Sequence, residues 1–133
     1  MTEHKSLPLL TPLNTFFWTG GKTGRLLMLR CYDCKFWLHP PAPNCPRCMS
    51  RDVEPQQTSG LGVVEAFTVN HQAWTAGLTE PYVIAVVSLA DCPDVRLTTN
   101  LVGVATDDVR IGMAVRCTFE QHDDVWLPLF TPA

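Results

Sequence analysis

The chain has 133 residues, of which 46% are hydrophobic and 17% charged, a balance that excludes an intrinsically disordered protein and indicates one domain or two small ones. The net charge is −3, but residues 1–55 carry seven basic against four acidic side chains, whereas residues 56–133 carry three against nine. Because the longest apolar run, Tyr82 to Val87, is far shorter than the roughly 18 residues of a membrane-spanning helix, we expect no membrane span, and the first residues predict no secretory signal.

Residues 1–23 are predicted to form a tail and a short helix. One or two helical turns are expected over 13–18, and the glycine pair at 20–21 is expected to end them. Phe16, Phe17 and Trp18 are contiguous, so no single helix face can bury all three. We therefore expect some of them to contact a partner protein, with packing on the chain's own core as the alternative.

Two Cys-x-x-Cys pairs organise residues 24–55, namely Cys31 with Cys34 and Cys45 with Cys48. Each pair can offer two thiolates to one ion, and four thiolates in tetrahedral array form a closed structural Zn²⁺ site. Strands predicted over 24–30 and 36–38 flank the first pair. The spacing therefore predicts a zinc ribbon.

Two disulfides, or four unrelated buried thiols, are the alternatives to zinc, but the repeated spacing disfavours both. A thioredoxin-like redox pair would have to open a helix, and the prolines at 40, 41 and 43 forbid one. Four thiolates satisfy the ion, so His39 is not expected to be a ligand. A closed site leaves no position for water or substrate, so the zinc should stabilise structure and not catalyse. Zinc-bound thiolates, with Cys92 and Cys117 left over, suit a reducing cytoplasm.

Residues 56–133 are predicted to form a barrel that follows a polar linker at 51–59. Strand patterns occur at 62–70, 81–89, 95–102, 111–120 and 125–129. Apolar and polar side chains alternate in the third and fourth of these, as in strands with one buried face. Five short strands joined by Gly- and Asp-rich turns predict a five-stranded OB-fold. The expected fold class is thus mainly β: a short N-terminal helical segment, a zinc ribbon and an OB-fold barrel.

Catalytic groups are hard to assemble from this sequence. It contains no phosphate-binding loop, dinucleotide fingerprint or nucleophile elbow. Cys117 lies on the apolar side of a strand, and Cys92 is predicted to be a turn thiol, exposed but without a base. His71 and His122 stand alone and are expected at the surface or at a strand edge. We expect no enzyme activity from the chain alone; a free-standing enzyme using Cys92 is one alternative.

The uneven charge bears on the kind of partner. The basic excess in the first half offsets the negative charge of a four-thiolate zinc centre, binds phosphate groups, or does both. The acid-rich second half would repel a polyanion. A nucleic-acid-binding module is therefore the alternative, and a small phosphorylated ligand or a protein partner is favoured.

Many segments in order resemble one bacterial and archaeal family of rubredoxin-like zinc ribbons fused to an OB-fold, found beside thiolase-superfamily genes. The matching stretches are Phe16-Phe-Trp18, Gly24-Arg-Leu-Leu-Met-Leu-Arg-Cys31, Pro40-Pro41, Cys45-Pro-Arg-Cys48, Ser59-Gly-Leu-Gly-Val-Val64, Ala66-Phe-Thr-Val69, His71, Pro81-Tyr-Val-Ile-Ala85, Val95-Arg-Leu-Thr-Thr-Asn-Leu-Val-Gly103, Ile111-Gly-Met113 and Leu127-Pro-Leu-Phe130. Two places depart from the family, because Lys35 and Met49 stand where relatives usually have glycine after a cysteine knuckle. The loop Ala90-Asp-Cys-Pro-Asp94 also differs from the commonly acidic, glycine-bearing family loop.

The resemblance implies a non-catalytic accessory subunit of a thiolase, an acyltransferase or a lipid-transfer-protein-type aldolase that shortens steroid side chains. It implies a hetero-oligomer such as a heterotetramer, with the acyl-CoA enclosed at the shared interface. Basic residues near the knuckles would then pair with the coenzyme A phosphates. Those residues are Arg25, Arg30, Lys35, Arg47 and Arg51.

Overall fold

The computed structural model describes residues 7–71 and 80–133 of the chain. Its elements are helix α1 (Thr15–Thr19), a 3₁₀ helix (Gly20–Thr23), β1 (Leu27–Cys31), β2 (Trp37–Leu38), β3 (Val53–Gln57), β4 (Leu61–Asn70), β5 (Tyr82–Leu89), β6 (Cys92–Leu101), a 3₁₀ helix (Thr106–Asp108), β7 (Ala114–His122) and β8 (Val125–Pro132). The predicted fold class is confirmed: the chain is mainly β, with a short helix, a cysteine-bearing sheet and a closed five-stranded barrel.

Helix α1 ends at the glycine pair, as the sequence predicts, with Gly20 at its C-cap, but a 3₁₀ helix follows it directly. The chain continues from α1 into the 3₁₀ helix and leaves it at Gly24, whose φ of 72° lies in the left-handed region that favours glycine. Gly21 is required for a different reason, which is the close contact between its backbone and the barrel. A Cβ built there would lie 2.5 Å from Trp126 Cβ and 2.6 Å from Phe119 Cδ1, so only glycine lets the backbone lie against the barrel.

The ribbon is a three-stranded antiparallel sheet with β1 at its centre, in the order β2-β1-β3. The prediction of a linker over 51–59 is wrong, because this segment contains β3. All five β3 residues pair with β1, from Leu27 opposite Gln57 to Cys31 opposite Val53. The strand is polar because it covers one edge of the sheet and leaves most of its side chains in water. In this segment polarity therefore marks an exposed edge strand and not a loop.

The barrel has the strand order β4-β5-β6-β8-β7, in which β7 pairs with β4 to complete the circuit. Every pairing is antiparallel except that of β6 with β8, which is parallel and registers at Leu101 opposite Phe130. The alternation predicted for β6 is confirmed, since Val95, Leu97 and Leu101 are buried. Phe130, with no exposed surface, belongs to the core that fills the barrel.

Strand β1 separates two cores. Met28 on one face joins the barrel core, together with Leu26 and with Trp37 of β2. Leu29 and Cys31 on the other face join a smaller core beside the cysteines. The ribbon and barrel thus share buried apolar surface, which fixes the position of the metal-binding end relative to the barrel.

Candidate functional site

The four predicted cysteine ligands come together at one end of the ribbon. The Sγ atoms of Cys31, Cys34, Cys45 and Cys48 all lie within 4.8 Å of one another. Cys31 Sγ is 3.5 Å from Cys48 Sγ, and Cys34 Sγ is 3.6 Å from Cys45 Sγ. Tetrahedral ligands at the usual Zn–S distance of about 2.3 Å stand roughly 3.8 Å apart. The donor set therefore fits a structural Zn²⁺ ion, and the four thiolates would fill its coordination positions.

Both cysteine knuckles turn through a left-handed residue. Lys35 has φ of 68° and Met49 has φ of 65°, and each N–H donates to the carbonyl of the first cysteine in its pair, at 2.9 and 2.8 Å. Side chains rarely occupy this region, because Cβ crowds the backbone there. The two turns thus carry side chains in the left-handed region, at the positions where the family that the sequence resembles usually has glycine.

Backbone N–H groups point at the sulfur atoms. Cys34 N–H faces Cys31 Sγ at 3.5 Å, and Arg47 N–H faces Cys45 Sγ at 3.4 Å. The hydrogen bond from Cys34 is the main cause that lowers the pKa of Cys31 to about 7. A lowered pKa favours the thiolate, which is the form that binds a metal.

Polar contacts tie the two knuckles together. The Ser50 hydroxyl donates to the Asp33 carboxylate, and the Ser50 hydroxyl oxygen accepts a hydrogen bond from the Asp52 N–H at 3.0 Å. The Ser50 carbonyl accepts the Cys45 N–H at 2.8 Å. These bonds place the second knuckle against the first and hold the four sulfur atoms in one cluster.

His39 lies outside the cysteine cluster. Its ring is half-buried with its centroid 5.1 Å from that of Phe17, and burial lowers the pKa of the imidazole. It packs between the helix and the ribbon.

Three of the five basic residues predicted to bind phosphate lie over aromatic rings of the ribbon. The Arg30 guanidinium is 4.7 Å from the Trp37 ring centroid, Lys35 Nζ is 5.6 Å from that of Tyr32, and the Arg47 guanidinium is 5.7 Å from that of Phe36. Stacking of this kind restrains a long cation while its charge stays accessible. Sequence reasoning found the cations but missed the rings, which alternate with them along the chain. Arg25 and Arg51 are exposed.

The three aromatic residues of α1 have different environments. Phe17 is only 5% exposed and belongs to the barrel core, so its side chain has little surface left for the predicted contact with a partner. Trp18 packs edge-to-face on Phe17, with ring centroids 4.8 Å apart, and remains half-buried. Phe16 is half-buried and touches both cores. Contact with a partner through Phe16 and Trp18 stays a prediction.

The remaining candidate nucleophiles and bases lie in different environments. Cys92 is fully buried in β6, so the prediction of an exposed turn thiol is wrong; the chain enters the strand directly after Asp91. Burial, and secondarily Asp91, raises the pKa of Cys92 to about 12. His122, expected at the surface or at a strand edge, is the last residue of β7 and is only 3% exposed, with Nε2 2.6 Å from Glu120 Oε1. His71 is exposed, as expected.

Within the described ranges, no helix has both the length and the apolar character needed to cross a membrane.

Comparison with known proteins gives two adjoining family matches. Residues 18–54 match the family model described as "ChsH2, rubredoxin-like zinc ribbon domain", and residues 55–120 match "ChsH2, C-terminal OB-fold domain".

Two curated relatives and one solved structure cover most of the chain. A "probable enoyl-CoA hydratase alpha subunit" of Thermomonospora curvata is 39% identical over 95% of the chain, which spans only 39% of that relative. A "DUF35 domain-containing scaffold protein" of Methanocaldococcus jannaschii is 33% identical over 72% of the chain and 68% of its own length. A chain of the solved "Ltp2-ChsH2(DUF35) aldolase" superposes with a TM-score of 0.85 at 37% identity, covering 95% of this chain and 98% of that one.

Proposed function

The chain belongs to the family of ChsH2-type zinc-ribbon and OB-fold proteins, also termed DUF35, and from this we propose that it is a non-catalytic accessory subunit of an acyl-CoA enzyme complex. One observation carries the proposal: the likeness to a component of a solved aldolase extends over 98% of that component. The enzyme subunit would belong to the thiolase superfamily, as a thiolase, an acyltransferase or a retro-aldolase of the steroid side-chain type. The complex would be a hetero-oligomer such as a heterotetramer, in the cytoplasm.

The chemistry of the chain supports a role without catalysis. A zinc ion held by four thiolates has no open position for substrate. Among residues 7–71 and 80–133, Cys92 is buried with its pKa raised and His122 is engaged by Glu120, so neither serves as a nucleophile–base pair. We infer that the reactive groups belong to the partner, and that this chain contributes folded surface.

We propose that the stacked cations bind the phosphates of the CoA thioester. Arg30, Lys35 and Arg47 flank the cysteine knuckles, and each lies over a ring that limits its motion. Such restraint lowers the entropy lost when a charge pairs with phosphate. Arg25 and Arg51 would add charge from the same half of the chain, which carries the basic excess. The acid-rich barrel half disfavours the alternative of a nucleic-acid-binding module.

Co-purification tests the proposed complex. The tagged chain should retain a thiolase-superfamily enzyme from its native source, and that enzyme should turn over an acyl-CoA faster, or stay soluble longer, with the chain than without it. The chain alone should leave acyl-CoA unchanged. Enzyme activity and solubility that do not respond to the chain would refute the accessory role.

The CoA contact is tested separately in the complex. Arg47→Gln should raise the KM for the CoA thioester by up to about fivefold, the range of an exposed ion pair, with little change in kcat. Arg116→Gln, at an exposed arginine of β7, is the matched control. Equal KM values for the two variants would remove Arg47 from the phosphate site while leaving the complex itself intact.

A further inference from the structure

The four cysteine ligands of the ribbon differ in their access to solvent. Cys31 and Cys45 have no exposed surface and Cys34 is half-buried, whereas Cys48 is exposed. The second knuckle explains the difference, because Cys45 belongs to the small core beside the cysteines while residues 46–49 lie at the surface. A small solute therefore reaches the Cys48 sulfur more readily than the other three.

Exposure of this sulfur matters because a cysteine that coordinates zinc is deprotonated. The thiolate is the form that peroxides oxidise, and the susceptibility of a cysteine follows its thiolate character and its exposure together. Cys48 combines both properties. The barrel thiols do not, since Cys92 has no exposed surface, Cys117 is half-buried, and burial raises the pKa of each. Oxidation is thereby directed to the ribbon.

A second thiolate lies close to Cys48. Cys31 Sγ, at the end of the central ribbon strand β1, is 3.5 Å from Cys48 Sγ. Redox-sensitive cysteines often lie next to a resolving cysteine, which attacks the oxidised sulfur and forms a disulfide. Cys31 is held in place by its pairing with Val53 and by its N–H, which donates to the Phe36 carbonyl at 2.8 Å. The exposed knuckle that carries Cys48 is therefore the part that moves when the two sulfur atoms join.

We propose that the zinc centre is a peroxide-sensitive switch, in which Cys48 is the sulfur oxidised first and Cys31 is its resolving partner. The Cys48 thiolate attacks one oxygen of hydrogen peroxide, the O–O bond breaks, and the hydroxide that leaves takes up a proton, so that Cys48 becomes a sulfenic acid. The Cys31 thiolate then attacks the Cys48 sulfur. The S–O bond breaks, the disulfide forms, and the second hydroxide also leaves as water.

In the two steps together, the sulfur atoms are oxidised by two electrons and one peroxide is reduced to two waters. The ribbon thereby loses two of its four ligands and releases its ion. A dithiol reductant reverses the change, as expected of a redox-sensing disulfide in a reducing compartment. The switch involves only the chain's own ligands, so it does not depend on the partner enzyme proposed above.

Treatment of the zinc-loaded chain with hydrogen peroxide tests the switch. A chromophoric chelator should detect released zinc, with a loss of about two thiols for each ion. Mass spectrometry of peptides should find a disulfide between Cys31 and Cys48, and dimedone, which traps sulfenic acids, should label Cys48 first. Addition of a dithiol reductant and zinc should restore all four thiols. A first dimedone label on Cys34, or a disulfide that joins Cys45 to Cys48, would overturn the proposal.

Two variants that each remove one ligand separate the sulfur atoms. Cys48→Ser should lose the zinc release that peroxide causes, whereas Cys34→Ser should keep both the release and the disulfide between Cys31 and Cys48. Equal release from the two variants would contradict the role of Cys48. Met49, which is 69% exposed in the same knuckle, reports that peroxide has reached this surface. Zinc that stays bound to the parent chain after Met49 has become its sulfoxide would also overturn the proposal. If Cys48→Ser does not hold zinc, the first dimedone label on the parent chain decides.

Discussion

Replacing Met49 by glycine should tighten zinc binding. Met49 has φ of 65° in the second knuckle, where an L side chain costs roughly 1–2 kcal/mol. Its side chain is 69% exposed, so little packing is lost on its removal. Glycine also destabilises the folded state by about 0.5–1 kcal/mol, because it increases the conformational entropy of the unfolded chain. The net gain is therefore centred on about 0.75 kcal/mol, the difference between the midpoints of these two ranges.

This gain should be measurable as metal affinity. The knuckle forms as the metal binds, so strain in the knuckle weakens the apparent affinity. A gain of about 0.75 kcal/mol corresponds to roughly three- to fourfold tighter binding in competition with a chromophoric chelator. Met49→Ala shortens the same exposed side chain but keeps Cβ, and should bind zinc like the parent. If Met49→Gly binds zinc no more tightly than Met49→Ala, the turn is not strained and the reasoning is wrong.

Three further predictions follow from the same geometry. Chelation of zinc, or Cys31→Ser, should raise the amide exchange rate at Leu29–Cys31 and across the second knuckle. The small core beside the cysteines has too little apolar surface to stay folded without metal. Unchanged amide protection in the metal-free protein would contradict this prediction. Gly21→Ala should lower stability by about 1–3 kcal/mol in chemical denaturation, since its Cβ would overlap Trp126 and Phe119. Lys22→Ala, at the exposed neighbouring site, should not. With zinc bound, iodoacetamide at pH 8 should not label Cys92 or Cys117, because burial raises the pKa of each thiol to about 12. Mass spectrometry measures the labelling, and rapid labelling of either thiol in the folded protein would refute its burial.

The parts of the fold that sequence predicted are those with a short-range code. The two Cys-x-x-Cys pairs fix ligand number and spacing, and the sulfur atoms do converge. The alternation of β6 marks its buried face directly, and Val95 and Leu97 are buried as expected. Local pattern was sufficient in both cases.

The parts that failed depend on contacts distant in sequence. β3 is polar and contains Pro55, and only pairing with β1 makes it a strand. Cys92 follows a turn pattern, yet the barrel buries it completely. The stacking of Arg30 on Trp37 joins two ribbon strands, so residue spacing in the sequence does not predict it. Such features follow from tertiary packing, which overrides local preference.

The two-sided strand β1 has a consequence for how this protein can be divided. A fragment that began at Ser59 would keep all five barrel strands but would lose Leu26, Met28 and Trp37 from the barrel's interior. The exposed apolar surface would make such a fragment poorly folded and prone to aggregation. The ribbon and the barrel are therefore inseparable as folding units, and an engineered graft of the barrel onto an enzyme must include the ribbon.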